Sequence, residues 1–397
     1  MLNFSISIFK MKKNKRLVKL YFYTILGSVL CLLIGFYTYD PLQIFHKPWG
    51  RDTTFHINMR QQVAGITNNY KFDSIIIGSS ILENTSATEA NKKMGGNFVN
   101  ISLSGSSYYE RKFVMKYIFQ KKSIKKVIYS LDAGSYIHQQ LDYPSYPLSQ
   151  YDYLYDDSTF NDIKAYATYD FLKCLLTFSS SKQCIGHKTS LDRPNAWYEV
   201  EGNKIRYGGL NKWLAANNNN KIKDVFKDIL LQTQEIKAGS SLELTDIGSK
   251  ISKAKQYVDE NILSFIKEHP KTDFILVFPP YSRLHYALWA QYNKPYFEIH
   301  KSILQYITEK GEKISNLKIF AFGDQDFLDN IANYKDPRHY HVSINSAMLS
   351  SIKSNIGQLK NSNIQIYLKT ITKKAEEYDI ISIGKKIHTY LKQSKKL

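Results

Sequence analysis

The sequence predicts an α/β protein in which a parallel-sheet core follows an N-terminal transmembrane helix. Short apolar runs alternate with helix-length segments, which is the pattern of βαβ units. The first of these runs, Ser74–Ile77, stops at Gly78-Ser79-Ser80, and an earlier apolar segment, Leu17–Tyr39, is long enough to be the membrane helix. Because ligands bind at the carboxyl ends of parallel strands, we expect chemistry where these runs end.

The N-terminal segment, residues 1–16, is basic and is expected to lie in the cytoplasm. No acidic residue precedes Asp40, so the positive flank of Leu17–Tyr39 predicts that the rest of the chain is outside. A cleaved signal peptide is the alternative. The apolar run is long for a signal peptide and no small-x-small site follows it, which favours an uncleaved signal-anchor. We therefore expect a single-pass membrane protein whose body lies on the extracytoplasmic side.

Residues 40–70 are predicted to form a stalk, with helical spacing at Ile57–Ile66. Residues 71–135 alternate between strand and helix patterns and form the first part of the core. In this part we predict strands at Ser74–Ile77, Phe98–Leu103 and Lys126–Leu131 and helices at Asn84–Lys93 and Tyr108–Phe119.

The alternation stops at residues 136–248, which are tyrosine-rich and then irregular. A structureless loop of that length is implausible in a compact domain, so we predict a mostly helical cap inserted over the site. The core resumes at residues 249–360, and residues 361–397 are predicted to form a basic tail of amphipathic helices. The second part of the core is predicted to contain helices at Ser249–Glu268, Tyr286–Ile307 and Val342–Ile356 and strands at Phe274–Phe278 and Lys318–Phe322.

Three residues have the chemistry of a serine nucleophile and its base. A serine hydroxyl reacts poorly until a base accepts its proton, and a histidine base needs a carboxylate to orient it. Ser80 ends the turn after the first core strand, where its own N–H can face an oxyanion. Asp336 and His339, three residues apart before a predicted helix, supply the carboxylate and the base. We therefore predict a catalytic triad of Ser80, His339 and Asp336.

In this order, the two blocks resemble the SGNH (GDSL-like) hydrolase superfamily, which carries Gly-Asp-Ser near its N-terminus and Asp-x-x-His near its C-terminus. Here Gly78-Ser79-Ser80 has serine in place of the aspartate. The segment Val99–Ser106 is similar to the second block of the family, whose glycine, here Gly105, helps to bind the oxyanion. The third block, Gly-x-Asn-Asp, is missing. The strand Val127–Leu131 occupies its place and is followed by Asp132 without an asparagine.

Two further residues are candidates for substrate binding. Asn84 lies one helical turn after Ser80 on the same predicted face, and Asp132 ends a strand; each has a capping role as its structural alternative. His339 and His341 lie close in sequence, but without a third clustered ligand they do not indicate a metal. We expect neither a metal nor a cofactor.

The net charge is +19, and much of it lies at the two ends of the chain. A basic outer surface can attract anionic headgroups or an acidic polysaccharide; a lysine- and asparagine-rich genome bias is the alternative. No nucleic-acid reader motif is present, so nucleic acid is not an expected partner. Cys174 and Cys184 lie ten residues apart in the part expected to be outside. In an oxidising compartment they predict a disulfide, with two buried thiols as the alternative.

The resemblance is to anchored envelope members of the superfamily, such as the alginate O-acetylation proteins and the D-alanyl transfer protein of teichoic-acid modification. It implies acyl transfer or ester hydrolysis on a cell-surface polysaccharide or its lipid-linked precursor. No acyl-CoA is expected outside the membrane, so a transferase would need a multi-pass membrane acyltransferase to supply the acyl group. A non-catalytic SGNH-like protein that binds or scaffolds a polysaccharide is the alternative, favoured by the missing third block and by Ser79.

Overall fold

The computed structural model describes residues 15–139, 141, 145–216, 220–243 and 245–393. Its centre is a five-stranded parallel sheet flanked by helices, which confirms the predicted α/β class. Most of the basic N-terminal segment and the last four residues lie outside the described part. In chain order the described strands are β1 (Thr54–Phe55), β2 (Ser74–Ile77), β3 (Phe98–Asn100), β4 (Lys126–Ser130), β5 (His187–Lys188), β6 (Asp273–Phe278) and β7 (Leu317–Ala321).

The order of strands in the sheet is β3-β2-β4-β6-β7, and every neighbouring pair is parallel. In register, Ile75 of β2 lies between Val99 of β3 and Val127 of β4. The chain therefore runs from β2 to one side as β3 and returns to the other side of β2 as β4. Such a reversal leaves a crevice beyond the carboxyl ends of β2 and β4, where ligands bind in open α/β sheets.

Helices make up most of the remaining structure. One π-helical turn, Asp259–Leu263, separates two of them, and short 3₁₀ turns occur at Leu148–Gln150, Asp152–Tyr155, Asp162–Tyr166, Trp197–Glu199, Asp326–Asp329 and Ile331–Asn333. The described α-helices are α1 (Lys15–Tyr39), α2 (Met59–Asn69), α3 (Ala87–Met94), α4 (Tyr108–Lys121), α5 (Ala133–His138), α6 (Tyr169–Leu176), α7 (Lys182–Ile185), α8 (Glu201–Lys204), α9 (Leu210–Ala215), α10 (Asn220–Lys237), α11 (Ile247–Val258), α12 (Ser264–Glu268), α13 (Arg283–Gln291), α14 (Lys294–Gly311), α15 (Val342–Lys353), α16 (Ile364–Glu376) and α17 (Ile380–Gln393).

The helices cover the sheet on both faces. Right-handed crossovers place α3 on one face and α4, α11 and α14 on the other. The packing agrees, because α3 contacts α15 whereas α11 contacts α14. The buried isoleucines of β2 lie between these layers, as expected for a parallel strand covered on both faces.

The N-terminal helix α1 is long and apolar enough to cross a membrane over Leu17–Tyr39. Its last turn enters the body, since Phe36 and Tyr39 are buried there. Directly after the helix, the carboxylate of Asp40 accepts hydrogen bonds from three backbone N–H groups, those of residues 44–46, each at 2.9 Å. The hydroxyl of Tyr166, from the inserted segment, also donates to Asp40. This buried junction fixes the end of α1 to the body.

Residues 40–70, predicted to be a stalk, are instead folded into the body. Leu42, Gln43 and Val63 are fully buried, and β1 pairs with β5 of the inserted segment as a two-stranded antiparallel ribbon. The side-chain amide of Gln62 donates to the carbonyl of Leu42 at 2.6 Å. These buried contacts make the segment part of the core.

Most of the regular elements that the structure describes in the inserted segment and the tail are helices. Within the insertion, the disulfide between Cys174 and Cys184 joins α6 to α7. The long helix α10 packs on α13 and on the tail helix α17, while α16 packs on α13. Ile371 and Ile387 of the tail are fully buried, so the tail is packed into the body by its apolar faces.

Candidate active site

The strand β2 delivers Ser80 to the crevice beside β4. Gly78 follows the strand, and a Cβ atom there would lie 2.5 Å from Ser130 Oγ and 2.9 Å from Leu82 Cγ, so glycine is required. The chain continues in turns, and α3 begins only at Ala87. The N–H of Ser80 therefore belongs to a turn, and the helix predicted from Asn84 begins three residues later than expected.

Ser80, His339 and Asp336 form a continuous chain of hydrogen bonds. Ser80 Oγ lies 2.9 Å from His339 Nε2. His339 Nδ1 lies 3.0 and 2.9 Å from the two carboxylate oxygens of Asp336. Because a carboxylate only accepts, Nδ1 carries the proton and Nε2 is the nitrogen that can accept a proton from the serine. The structure thus brings together the three residues that the sequence predicted as a triad.

The carboxylate of Asp336 is held in its ionised form. Its Oδ1 accepts from the backbone N–H groups of Arg338 at 3.0 Å and His339 at 2.9 Å, and Arg206 Nη2 lies 3.7 Å from Oδ2. Burial alone would raise the pKa of Asp336, but the attraction and hydrogen bonds of His339, with the nearby charge of Lys335, hold that pKa well below its usual range. An ionised carboxylate is the form that orients the histidine.

Two backbone N–H groups near the serine are free to bind an oxyanion. Gly105 lies in the turn after β3 with φ of +68°, a conformation that favours glycine. Ser80 and Gly105 line the same small cavity of about 260 Å³. Within the described residues, neither Ser80 N–H nor Gly105 N–H donates a hydrogen bond. Fixed N–H groups of this kind can stabilise negative charge that develops on a carbonyl oxygen.

The fully buried guanidinium of Arg111 supports the turn that contains Gly105. It donates to Ser106 Oγ at 2.7 Å and to the Ser106 carbonyl at 2.9 Å, and it contacts Asp132 Oδ2 at 2.5 Å. Asp132 also accepts a hydrogen bond from Ser79 Oγ at 2.7 Å. Asp132, predicted to bind substrate, lines the small cavity, but its carboxylate is already engaged. It connects the Gly105 turn to the turn that carries the serine.

Asn84, the other residue predicted to bind substrate, is fully buried and lines neither cavity at the site. Its Oδ1 accepts a hydrogen bond from the backbone N–H of Tyr198 at 3.1 Å. The N-cap of α3 is Ser86, so Asn84 does not fill the capping role either. The structure places Asn84 behind the site, where it holds the inserted segment near Tyr198.

Trp197, from the inserted segment, is a site residue that the sequence did not identify. Its indole N–H donates to the carbonyl of Ser80 at 2.6 Å, and its ring meets the His339 ring edge-on at 5.3 Å between centres. The ammonium group of Lys335 lies 3.8 Å from the centre of the same indole. An isolated tryptophan in an irregular segment has no sequence spacing that links it to Ser80. The only signal was the expectation that the insertion covers the site.

A larger cavity of about 640 Å³ also reaches Ser80 and His339. Burial raises the pKa of Glu83 in its wall to about 8, and burial lowers the pKa of Lys335 to about 8. The cavity therefore contains a neutral carboxyl group at neutral pH together with several cations. Its basic lining residues are Arg60, Arg206, Lys335 and Arg338.

Among the described residues, no three His, Cys, Asp or Glu side chains lie together as a metal site would require. Comparison of the sequence with protein-family models gave no match. Comparisons with curated proteins and with solved structures gave no match either. The chemistry of the site itself is therefore the basis for assigning a function.

Proposed function

We propose that the protein is an extracytoplasmic serine acyltransferase or esterase of the SGNH type that acts on a cell-envelope polysaccharide. The observation that supports this most directly is the hydrogen-bonded chain from Ser80 through His339 to Asp336. It lies at the reversal of the sheet, beside two N–H groups that donate to no described residue. Three groups in the roles of nucleophile, base and orienting carboxylate, next to oxyanion donors, are the parts that acyl transfer needs.

In the first half of the proposed reaction, Ser80 Oγ attacks the carbonyl carbon of an ester while His339 Nε2 accepts the serine proton. The oxyanion of the tetrahedral intermediate is bound by the N–H groups of Ser80 and Gly105. The intermediate then collapses, and the C–O bond to the leaving alcohol breaks. The alcohol oxygen takes the proton from His339, which leaves an acyl ester on Ser80.

In the second half, a sugar hydroxyl or a water molecule attacks the acyl-enzyme. His339 accepts the proton of this nucleophile and returns it to Ser80 Oγ as the second tetrahedral intermediate collapses. The products are a new sugar ester or a free acid, together with the original serine. Since no step requires a cofactor, none is part of the proposal.

The proposed location is the outer side of the bacterial inner membrane, with α1 as a single-pass anchor and the N-terminus in the cytoplasm. The apolar length of α1 and its basic N-terminal flank support this topology. A multi-pass membrane acyltransferase is the proposed source of acyl groups for a transfer reaction. Periplasmic reporters fused after Asp40 are expected to be active, and activity of cytoplasmic reporters alone would contradict the topology.

A fluorophosphonate probe tests the proposed nucleophile directly. Detergent-extracted full-length protein is expected to be labelled on Ser80, and Ser80→Ala protein is expected to remain unlabelled. Ser79→Ala is the matched control, because Ser79 is adjacent but donates to Asp132 and not to the histidine. This variant is expected to retain labelling.

Two results would count against the enzyme. One is the absence of labelling in folded wild-type protein. The other is a surface glycan that keeps all its acyl groups in cells expressing well-folded Ser80→Ala protein. Either result would favour a binding or scaffold role.

A further inference from the structure

We infer that the alcohol part of the substrate carries an anionic group, a carboxylate or a phosphate, which binds the cationic wall of the larger cavity through Arg338. This inference rests on the proposed function for the assignment of the two parts of the substrate. The binding of the anion itself can be measured without catalysis.

The two cavities divide the substrate at the reacting carbon. Gly105, a proposed oxyanion donor, lines the smaller cavity and not the larger one. The carbonyl oxygen therefore belongs on the side of the smaller cavity, and we assign the acyl group to the same side. Ser80 and His339 line both, so the leaving or accepting alcohol oxygen, which exchanges a proton with His339, extends into the larger cavity.

The cations of the larger cavity differ in how well they are neutralised. Arg60 forms a buried ion pair with Glu110. Arg206 is paired more weakly, because its Nη2 atom lies 3.7 Å from Asp336 Oδ2, which is too long for a hydrogen bond. The Nε atom of Arg206 is buried and has no hydrogen-bond partner among the described residues.

Lys335 and Arg338 provide the remaining positive charge. The ammonium group of Lys335 donates to the neutral Asn203 Oδ1 at 3.0 Å. Arg338 is exposed and lines both cavities. Within the described part of the chain, its guanidinium contacts no carboxylate within 4.0 Å and makes no hydrogen bond. A planar guanidinium without a partner suits bidentate recognition of a carboxylate or phosphate.

Among the described residues that line this wall, Glu83 has the one carboxyl group outside the proposed triad, and it does not cancel the charge. Glu83 accepts a hydrogen bond from Asn195 Nδ2 at 2.9 Å, and with its pKa raised to about 8 by burial it is largely protonated at pH 7. The described wall therefore has one ionised carboxylate, that of Asp336, against the three cations Arg206, Lys335 and Arg338. A cleft with an excess of one charge concentrates ligands of the opposite charge.

The test uses calorimetry on full-length Ser80→Ala protein, which removes turnover. The probes are tri-galacturonate, its fully methyl-esterified neutral form, and glucose 6-phosphate with glucose as its neutral counterpart. We expect an anionic probe to bind at least about tenfold more tightly than its neutral counterpart, a difference of about 1.4 kcal/mol. Preference for tri-galacturonate indicates a carboxylate, and preference for the phosphate indicates a phosphorylated substrate.

A second substitution identifies the residue responsible. Adding Arg338→Gln is expected to reduce affinity for the preferred anion about fivefold to tenfold and to leave the neutral probe unaffected. Lys125→Gln removes one charge from an exposed ion pair with Asp73, at the opposite edge of the sheet, and is expected to change neither affinity. Because the variants share one background, circular dichroism establishes that each is folded.

The inference is overturned if neither anion binds more tightly than its neutral counterpart, or if Arg338→Gln leaves anion affinity unchanged. Raising the salt concentration should weaken binding of the anionic probe and leave binding of the neutral probe unchanged. This measurement does not depend on whether Arg338→Gln folds. Failure of the proposed function would look different. Wild-type protein would then bind the anion but would show no Ser80-dependent labelling.

Discussion

Replacing Trp197 by phenylalanine separates a positioning role from simple packing. The change removes the N–H that donates to the Ser80 carbonyl at 2.6 Å but keeps an aromatic ring near His339 and Lys335. Trp197 is only partly buried, so water can replace the lost donor and the stability loss should stay below about 1 kcal/mol. If this hydrogen bond fixes the turn that carries Ser80, its removal costs about 1 kcal/mol of transition-state stabilisation and lowers kcat about fivefold.

Trp213→Phe is the matched control. Its indole N–H donates to the Tyr334 carbonyl at 2.5 Å, and Trp213 is 1 % exposed, so that carbonyl loses its donor where water cannot reach it. The expected stability loss is about 1–3 kcal/mol, with kcat unchanged. The assays are thermal unfolding and hydrolysis of p-nitrophenyl acetate by full-length protein in detergent. If Trp197→Phe lowers stability but leaves kcat and KM unchanged, the positioning role is refuted.

Three further predictions concern the carboxyl groups and the disulfide. Asp336→Asn presents an amide N–H to the histidine and favours the wrong tautomer, so kcat should fall by up to about 10⁴; activity within tenfold of wild type would contradict this role. Burial raises the pKa of Glu83 from 4.5 to about 8, so the folded state retains a proton that the unfolded state loses, and stability should fall as pH rises from about 5 to 8. Glu83→Gln should flatten this dependence in thermal melts, and an unchanged slope would exclude Glu83 as its source. Alkylation without reductant should label the free Cys31 in denatured protein but not Cys174 or Cys184, and reduction should cost roughly 2–3 kcal/mol; labelling of both under these conditions would reject the bridge.

The core strands were predictable where local pattern and tertiary packing agree. β2 occupies the predicted Ser74–Ile77, because a run of isoleucines ends at a glycine that no larger residue can replace. The next strand ends at Asn100 rather than at Leu103. The side-chain amide of Asn100 donates to the carbonyls of Leu82 and Thr85, each at 2.8 Å. Backbone hydrogen bonds to the β2 segment nevertheless continue past Asn100, from the Ile101 N–H to the Ile76 carbonyl at 2.9 Å and from the Leu103 N–H to the Gly78 carbonyl at 2.8 Å.

The long helix predicted at Tyr286–Ile307 is two helices, α13 and α14. Pro295 lies in the first turn of α14, where its missing N–H has no cost and its fixed φ suits a helix start. The apolar spacing continues across the break, which explains why the pattern predicted a single helix.

The candidate site was predictable in its short motifs and not in its surroundings. Asp336 and His339 are three residues apart, and the serine follows a recognisable strand, so residue type and position were sufficient to select them. Trp197 and Arg206 come from the irregular insertion, where no period relates one residue to another. The engaged state of Asp132 was also invisible, because Arg111 reaches it from another helix. The SGNH resemblance and the acyl-transfer activity stay predictions.

The buried junction after α1 has a geometrical consequence. Asp40 accepts hydrogen bonds from the backbone of residues 44–46 and from Tyr166. These bonds restrict rotation of the body relative to α1. With α1 in a bilayer, Ser80 would be held at a fixed distance from the membrane surface and in a fixed orientation to it. Under the proposed function, a polymer would then be modified only where its chain passes at that distance from the membrane. Inserting flexible residues after α1 would let Ser80 reach a wider range of distances from the membrane. The modified units of the polymer would then be less regularly spaced.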